Sequence, residues 1–140
     1  MKIEEQVLSR EQMARLAELG VDTSDASVAW YMSPNTNRWK IKTKDKFAHE
    51  MLRRISPERY IPTYTTGDLI EKLPKHINSW NDNRLVIDGD EDAYYWYVVY
   101  KNRYEHSETE YFDSENLLTA LYNLLCWVAG NHKELLEVKK

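Results

Sequence analysis

Tyr94-Tyr-Trp-Tyr-Val-Val-Tyr100 and Leu117-Leu-Thr-Ala-Leu-Tyr-Asn-Leu-Leu-Cys-Trp-Val128 decide the fold between them. The first stretch is aromatic or β-branched at every position, so both faces of an extended chain are apolar. A strand of that kind is a central one with something packed on each side. In the second stretch Leu117, Leu121, Leu124 and Val128 recur at helical spacing, and Leu118, Tyr122 and Leu125 widen the stripe. A helix apolar over so much of its circumference is mostly buried, so it should lie across the sheet. It is expected to start at Asp113 or Ser114 and run to Ala129, with Gly130 ending it. Trp96, Val98, Leu121 and Leu124 are expected to share one core.

Upstream of the aromatic strand, residues 85–87 form its hairpin partner, joined through Asp88-Gly-Asp-Glu-Asp92, since Asp-Gly favours a hairpin turn. Downstream, residues 108–112 read as a third strand. Near the start, Ser9 and Gln12 make a capping box before the stripe Met13, Leu16 and Leu19. Gly20 is placed to terminate that helix in the left-handed conformation, and Val21 to close a Schellman contact. Residues 28–32 and 38–42 read as two strands around Ser33-Pro-Asn-Thr-Asn37. In the second, Trp39 and Ile41 share one face, while Arg38, Lys40 and Lys42 share the other. Thr43 can cap a helix carrying Phe47, Met51, Leu52 and Ile55, which Ser56-Pro57 ends. A link through Tyr60, Pro62 and Tyr64 leads to Thr65-Thr-Gly-Asp68, an N-cap for a short helix with Leu69, Ile70 and Leu73 inward and Pro74 stopping it. The order of elements argues a single α+β domain over residues 1–140, an antiparallel sheet of about three to five strands with helices packed on it.

The composition of this 140-residue chain, 42% hydrophobic and 30% charged, is that of a folding domain. No apolar run approaches the length of a membrane span, and the acidic N-terminus has no signal-peptide pattern. The one cysteine, Cys126, allows no internal disulfide, so the expected home is the cytoplasm. The four glycines, Gly20, Gly67, Gly89 and Gly130, are too far apart to make a phosphate cradle or a nucleophile elbow. The four histidines, His49, His76, His106 and His132, share no helix face, and no C-x-x-C completes a zinc site. His49-Glu50 opens like a zinc-protease motif, but Arg53 stands where the second histidine belongs. Asp88, Asp90 and Asp92 have calcium-loop spacing, yet Val99 holds the position of the closing glutamate. No metal, no cofactor and no catalytic residue is expected.

Two features point toward partners. Residues 1–32 carry net −3, residues 33–76 net +5 and residues 77–140 net −6, so a basic middle lies between acidic ends. The cations Lys40, Lys42, Lys44, Lys46, Arg53 and Arg54 are its densest part and would suit nucleic acid. A pI near 5.6 argues against a dedicated nucleic-acid binder, and acid from the last third is expected to cover part of this surface. The second feature is ten tyrosines and five tryptophans against two phenylalanines. Tyrosine and tryptophan combine an apolar body with a polar tip. Their hydroxyls in residues 94–100 either meet solvent at the sheet's rim or form a contact surface, for which Tyr95 and Tyr97 are the candidates.

The stretches Glu11-Gln-Met-Ala-Arg-Leu-Ala-Glu-Leu-Gly-Val-Asp-Thr-Ser24 with Trp30, Tyr64-Thr-Thr-Gly-Asp-Leu-Ile-Glu-Lys-Leu-Pro74, Trp96-Tyr-Val-Val-Tyr100 and Leu121-Tyr-Asn-Leu-Leu-Cys-Trp127 resemble small uncharacterised proteins of gut bacteria and their phages or mobile elements. The resemblance implies a cytoplasmic accessory protein and carries over no catalytic residue. The expected function is therefore a non-enzymatic module that holds an unidentified protein partner. The alternative is a nucleic-acid-binding accessory protein using residues 38–54. An enzyme built from scattered carboxylates and a histidine has no motif behind it.

Overall fold

Helix α1 (Arg10–Glu18) forms because its ends are satisfied locally. Ser9 Oγ accepts from the Gln12 amide at 3.1 Å, and Gln12 Oε1 accepts from the Ser9 amide at 2.9 Å. At the other end Gly20 adopts φ +84°, and the Gly20 and Val21 amides donate back to Ala17 and Leu16, the Schellman pairing. Val21 is thereby turned into the core beside Met13 and Leu16. The computed structural model describes residues 6–43, 57–77, 84–89, 95–101, 112–114 and 116–136. The expected helix after Thr43, with Phe47, Met51, Leu52 and Ile55, lies outside these residues. So do Lys44, Lys46, Arg53, Arg54, most of the acidic turn, and residues 108–111.

Strands β1 (Val28–Met32) and β2 (Trp39–Thr43) pair antiparallel, with Trp30 opposite Ile41. Asn37 takes φ 52° in their turn, a conformation asparagine tolerates, and its amide donates to the Ser33 carbonyl at 2.8 Å. A one-turn 3₁₀ segment (Pro57–Arg59) leads into β3 (Tyr60–Thr63), which pairs along the other side of β1. The sequence reading takes this segment as a link. Pro62 weakens it as a strand, and only an edge position, which it occupies here, accommodates that residue.

Helix α2 (Thr66–Lys72) has its own capping box between Thr65 and Asp68. It leads to a second antiparallel sheet ordered β4 (Arg84–Gly89), β5 (Trp96–Lys101), β6 (Phe112–Ser114). The aromatic strand β5 is central, and Val98, Val99 and Tyr100 are fully buried, as expected of a strand covered on both faces. Trp96 departs from expectation: it is 41% exposed and outside the core, because it sits at the strand's outer end.

Helix α3 (Leu117–Asn131) buries Leu118, Leu121, Leu124, Leu125 and Val128 against β5, β6 and α2. Asn116 caps it through the Leu118 amide at 2.9 Å, so it begins after the expected Asp113 or Ser114, which belong to β6. Gly130 does not end it: the helix continues through Asn131, and a 3₁₀ turn (Lys133–Leu136) folds Leu136 back into the core. The architecture is α+β, its six described strands divided between two sheets. One buried cluster joins α1, α2, α3, the end of β3 and the inner face of the second sheet.

Candidate partner-binding groove

Among the described residues, the β4 margin of the second sheet is open beyond Leu85. Leu85 and Ile87 of β4 stand opposite Tyr100 and Val98 of β5, so all four share the face turned toward the core. Tyr100 and Val98 are fully buried there, whereas Leu85 and Ile87 are only half-buried. Ile70 of α2 is half-buried beside them. Together with Lys75, His76 and Arg84 these side chains line an open groove of about 360 Å³. Its floor is an outward extension of the core, and its rim is cationic.

Backbone pairing builds the rim. The Leu85 amide donates to the Lys75 carbonyl at 2.9 Å, and His76 bridges to Arg84, which fixes the exit from α2 along the edge of β4. Lys75 Nζ donates to the Ile70 carbonyl at 2.6 Å, as a cation at a helix C-terminus does. Tyr100 fastens the same corner from inside: its hydroxyl donates to the Pro74 carbonyl at 2.8 Å. Burial holds that phenol well above its ordinary pKa.

Trp96 extends the apolar surface. It stands opposite Gly89 on the groove-facing side of β5, diagonal to Ile87. Its six-membered ring lies 3.8 Å from the point a Cβ on Gly89 would occupy, so the indole leans over the end of β4. Tyr95, just before the strand, is 48% exposed. Tyr97 is different: half-buried, it donates its hydroxyl to Asp88 at 2.9 Å, with Lys101 Nζ 5.7 Å from its ring centre. Of the two tyrosines singled out in the sequence, Tyr95 lies open and Tyr97 is tied into the sheet. The carboxylate of Asp88, a would-be calcium ligand, is engaged by Tyr97 and by the Gly89 amide.

Lys40 and Lys42 project from the exposed face of β2, with Trp39 and Ile41 half-buried on the other face. Lys42 Nζ lies 4.9 Å from the centre of the Tyr31 ring. Arg53 and Arg54 fall outside the described residues, so the structure does not join them to these lysines. Among the described residues, no acid from the last third of the chain forms an ion pair with Lys40 or Lys42.

A second polar cluster lies behind α2. Tyr64 is fully buried, and its hydroxyl donates to Asp25 Oδ1 at 2.6 Å, with the Asp22 carbonyl 3.0 Å away. Lys72 Nζ reaches Asp25 Oδ2 and the Asp22 carbonyl, both at 2.9 Å. Burial first, and the Asp25 carboxylate next, hold the Tyr64 proton far above its ordinary range, so this phenol cannot serve as a base. Asp68 accepts from Ser27 and from the Thr65 amide, pinning the same loop. These bonds clamp residues 22–27 to α2. Cys126 is half-buried on α3, and burial raises its thiol pKa, against the opposing hydrogen bond with Tyr122, which disfavours a reactive thiolate. Among the described residues no three His, Cys, Asp or Glu side chains gather as a metal site, and no helix is long and apolar enough to cross a membrane.

The sequence points to aromatic residues and to cations but not to this groove. Ile70 and Leu85 read as ordinary core positions, and only the fold shows that α2 and β4 part before covering them. Compared with known proteins, the chain matches no family model, no curated protein and no solved structure.

Proposed function

We propose that the chain is a non-enzymatic protein-interaction module, a cytoplasmic accessory protein of a bacterium, phage or mobile element, that holds a protein partner in the groove. The observation that supports this is the half-exposed patch of Ile70, Leu85 and Ile87 in the groove, with Trp96, 41% exposed, on the same face of the second sheet. A clustered apolar patch with aromatic anchors and a polar rim has the make-up of an interface. The test is photo-crosslinking in native cells, with a benzophenone amino acid replacing Ile70 or Trp96, and Glu11 on α1 as the control. A discrete protein adduct from both groove positions and not from Glu11 is the expected result. Adducts independent of position would refute the reading.

A second reading, nucleic-acid binding, is supported by the exposed pair Lys40 and Lys42 beside Tyr31. Phosphate contacts release counterions, so affinity for DNA or RNA should then fall roughly 10³-fold or more between about 50 and 200 mM salt. A fluorescence titration with salt as the variable separates the two readings.

A further inference from the structure

Resting on the reading of the groove as a protein-docking site, we propose that its occupant is an extended acidic segment of the partner. Its aliphatic side chains sit on Ile70, Leu85 and Ile87, and its carboxylates meet Lys75 and Arg84.

Three observations carry this. First, the floor is apolar while the rim residues Lys75, His76 and Arg84 include no acid. The chain as a whole is net −4, but surface charges more than about 8 Å apart are largely screened at physiological salt. A ligand in the groove therefore feels the rim and not the total. Second, Lys75 and Arg84 are exposed, and no described acid forms an ion pair with either. Lys75 spends one N–H on the Ile70 carbonyl and keeps two for a ligand, and the Arg84 guanidinium offers a fork that fits a carboxylate.

Third, the backbone favours an extended ligand. The Leu85 amide points away from β5, toward Lys75. Peptide groups alternate along a strand, so the Ile87 N–H and C=O point out along the same edge. Among the described residues no strand pairs with that edge beyond Leu85. Leu73, which would be the next residue to pair with Ile87, spends its N–H on the Leu69 carbonyl at 2.9 Å inside α2. A segment added there as a strand would hydrogen-bond to Ile87 and present alternate side chains to the groove.

The experiment is a random heptapeptide display selection against the full-length protein, repeated on the double variant Lys75→Glu, Arg84→Glu and on Ile87→Arg. Both rim positions are exposed, so the double variant should keep its fold, which circular dichroism checks. The wild type should enrich peptides alternating Asp or Glu with Leu, Ile or Phe. The best of them should lose about tenfold or more in affinity on the double variant, which should instead select Lys- and Arg-containing peptides. Amide exchange at Ile87 should slow when the peptide binds. Enrichment of aliphatic peptides without acidic preference, lost on Ile87→Arg but unchanged on the double variant, would overturn this inference and leave the docking site standing. Acidic peptides that bind without protecting the Ile87 amide would overturn the extended pose. No enrichment over Ile87→Arg would overturn the docking reading as well.

Discussion

Leu121→Ala is the sharpest test of how the molecule is held together. Leu121 is fully buried on α3 within the cluster that also contains Val98 and Leu124. Truncation removes the transfer free energy of three carbons, at about 0.8 kcal/mol each or roughly 2.4 kcal/mol. The neighbours are anchored on a strand and on the helix itself, so they collapse only partly, and the residual cavity brings the total to about 3–4 kcal/mol. For a domain whose whole stability is of order 5–15 kcal/mol, that is a large fraction. At roughly 4 °C per kcal/mol it lowers Tm by about 12–16 °C. Urea unfolding followed by tryptophan fluorescence reads the change, with Leu135→Ala as control, since Leu135 is 41% exposed and should change stability by about 0.5 kcal/mol or less. A loss under about 1 kcal/mol at Leu121, or equal losses at both positions, would refute α3 as the core helix.

Gly20→Ala should cost about 1 kcal/mol or more, because φ is +84° there; the nearest obstacle, the end of the Lys133 side chain, can swing aside. A thermal melt that rises on this substitution would contradict the left-handed cap. Tyr64→Phe should cost about 1–2 kcal/mol, losing a bond to the part-exposed Asp25 carboxylate, and chemical denaturation measures it. Alkaline pH should also destabilise the fold. Tyr60, Tyr64, Tyr100 and Tyr122 all have pKa values raised above 10.0, Tyr122 being pushed up to about 12, chiefly by burial. A raised folded pKa favours the protonated fold, so the contribution is complete below about pH 10 and is lost as pH climbs toward the folded values. Ultraviolet titration should show these phenols ionising only as the protein unfolds; all ten tyrosines titrating near pH 10 in a native protein would contradict it.

Local chemistry made much of this fold legible in advance. The capping boxes at Ser9 and Thr65 and the left-handed Gly20 need only residues three to five positions apart, so the sequence displays them directly. The two-faced apolarity of β5 and the wide stripe of α3 are equally local signals. What escaped is decided at long range. Residues 60–63 become a strand because β1 offers them partners 29 to 35 positions away, despite Pro62. Gly130 stays helical because the following 3₁₀ turn, not a glycine cap, redirects the chain. Trp96 has the alternation of a core residue and is exposed because it stands at the outer end of β5, a position no spacing encodes. The groove is illegible for the same reason: it is made of core-type side chains that a neighbour fails to cover.

The Leu8 peptide group has a consequence for how the protein is made. Its N–H donates to the Tyr64 carbonyl at 3.0 Å, while its C=O accepts Trp30 Nε1 at 2.8 Å and Thr63 Oγ1 at 2.7 Å. The partners at 63 and 64 leave the ribosome long after Leu8 does. At about 5–20 residues per second, the 55 residues separating Leu8 from Thr63 take roughly 3–11 seconds to synthesise. Met13 and Leu16 wait longer still, for the core they join includes Leu121, Leu124 and Val128. The first helix thus emerges with its apolar stripe uncovered, meets β3 only after roughly fifty further residues, and waits for α3 until more than a hundred have followed. Closure of this core therefore waits on α3, and a nascent chain stalled before it would present a half-covered helix to any chaperone within reach.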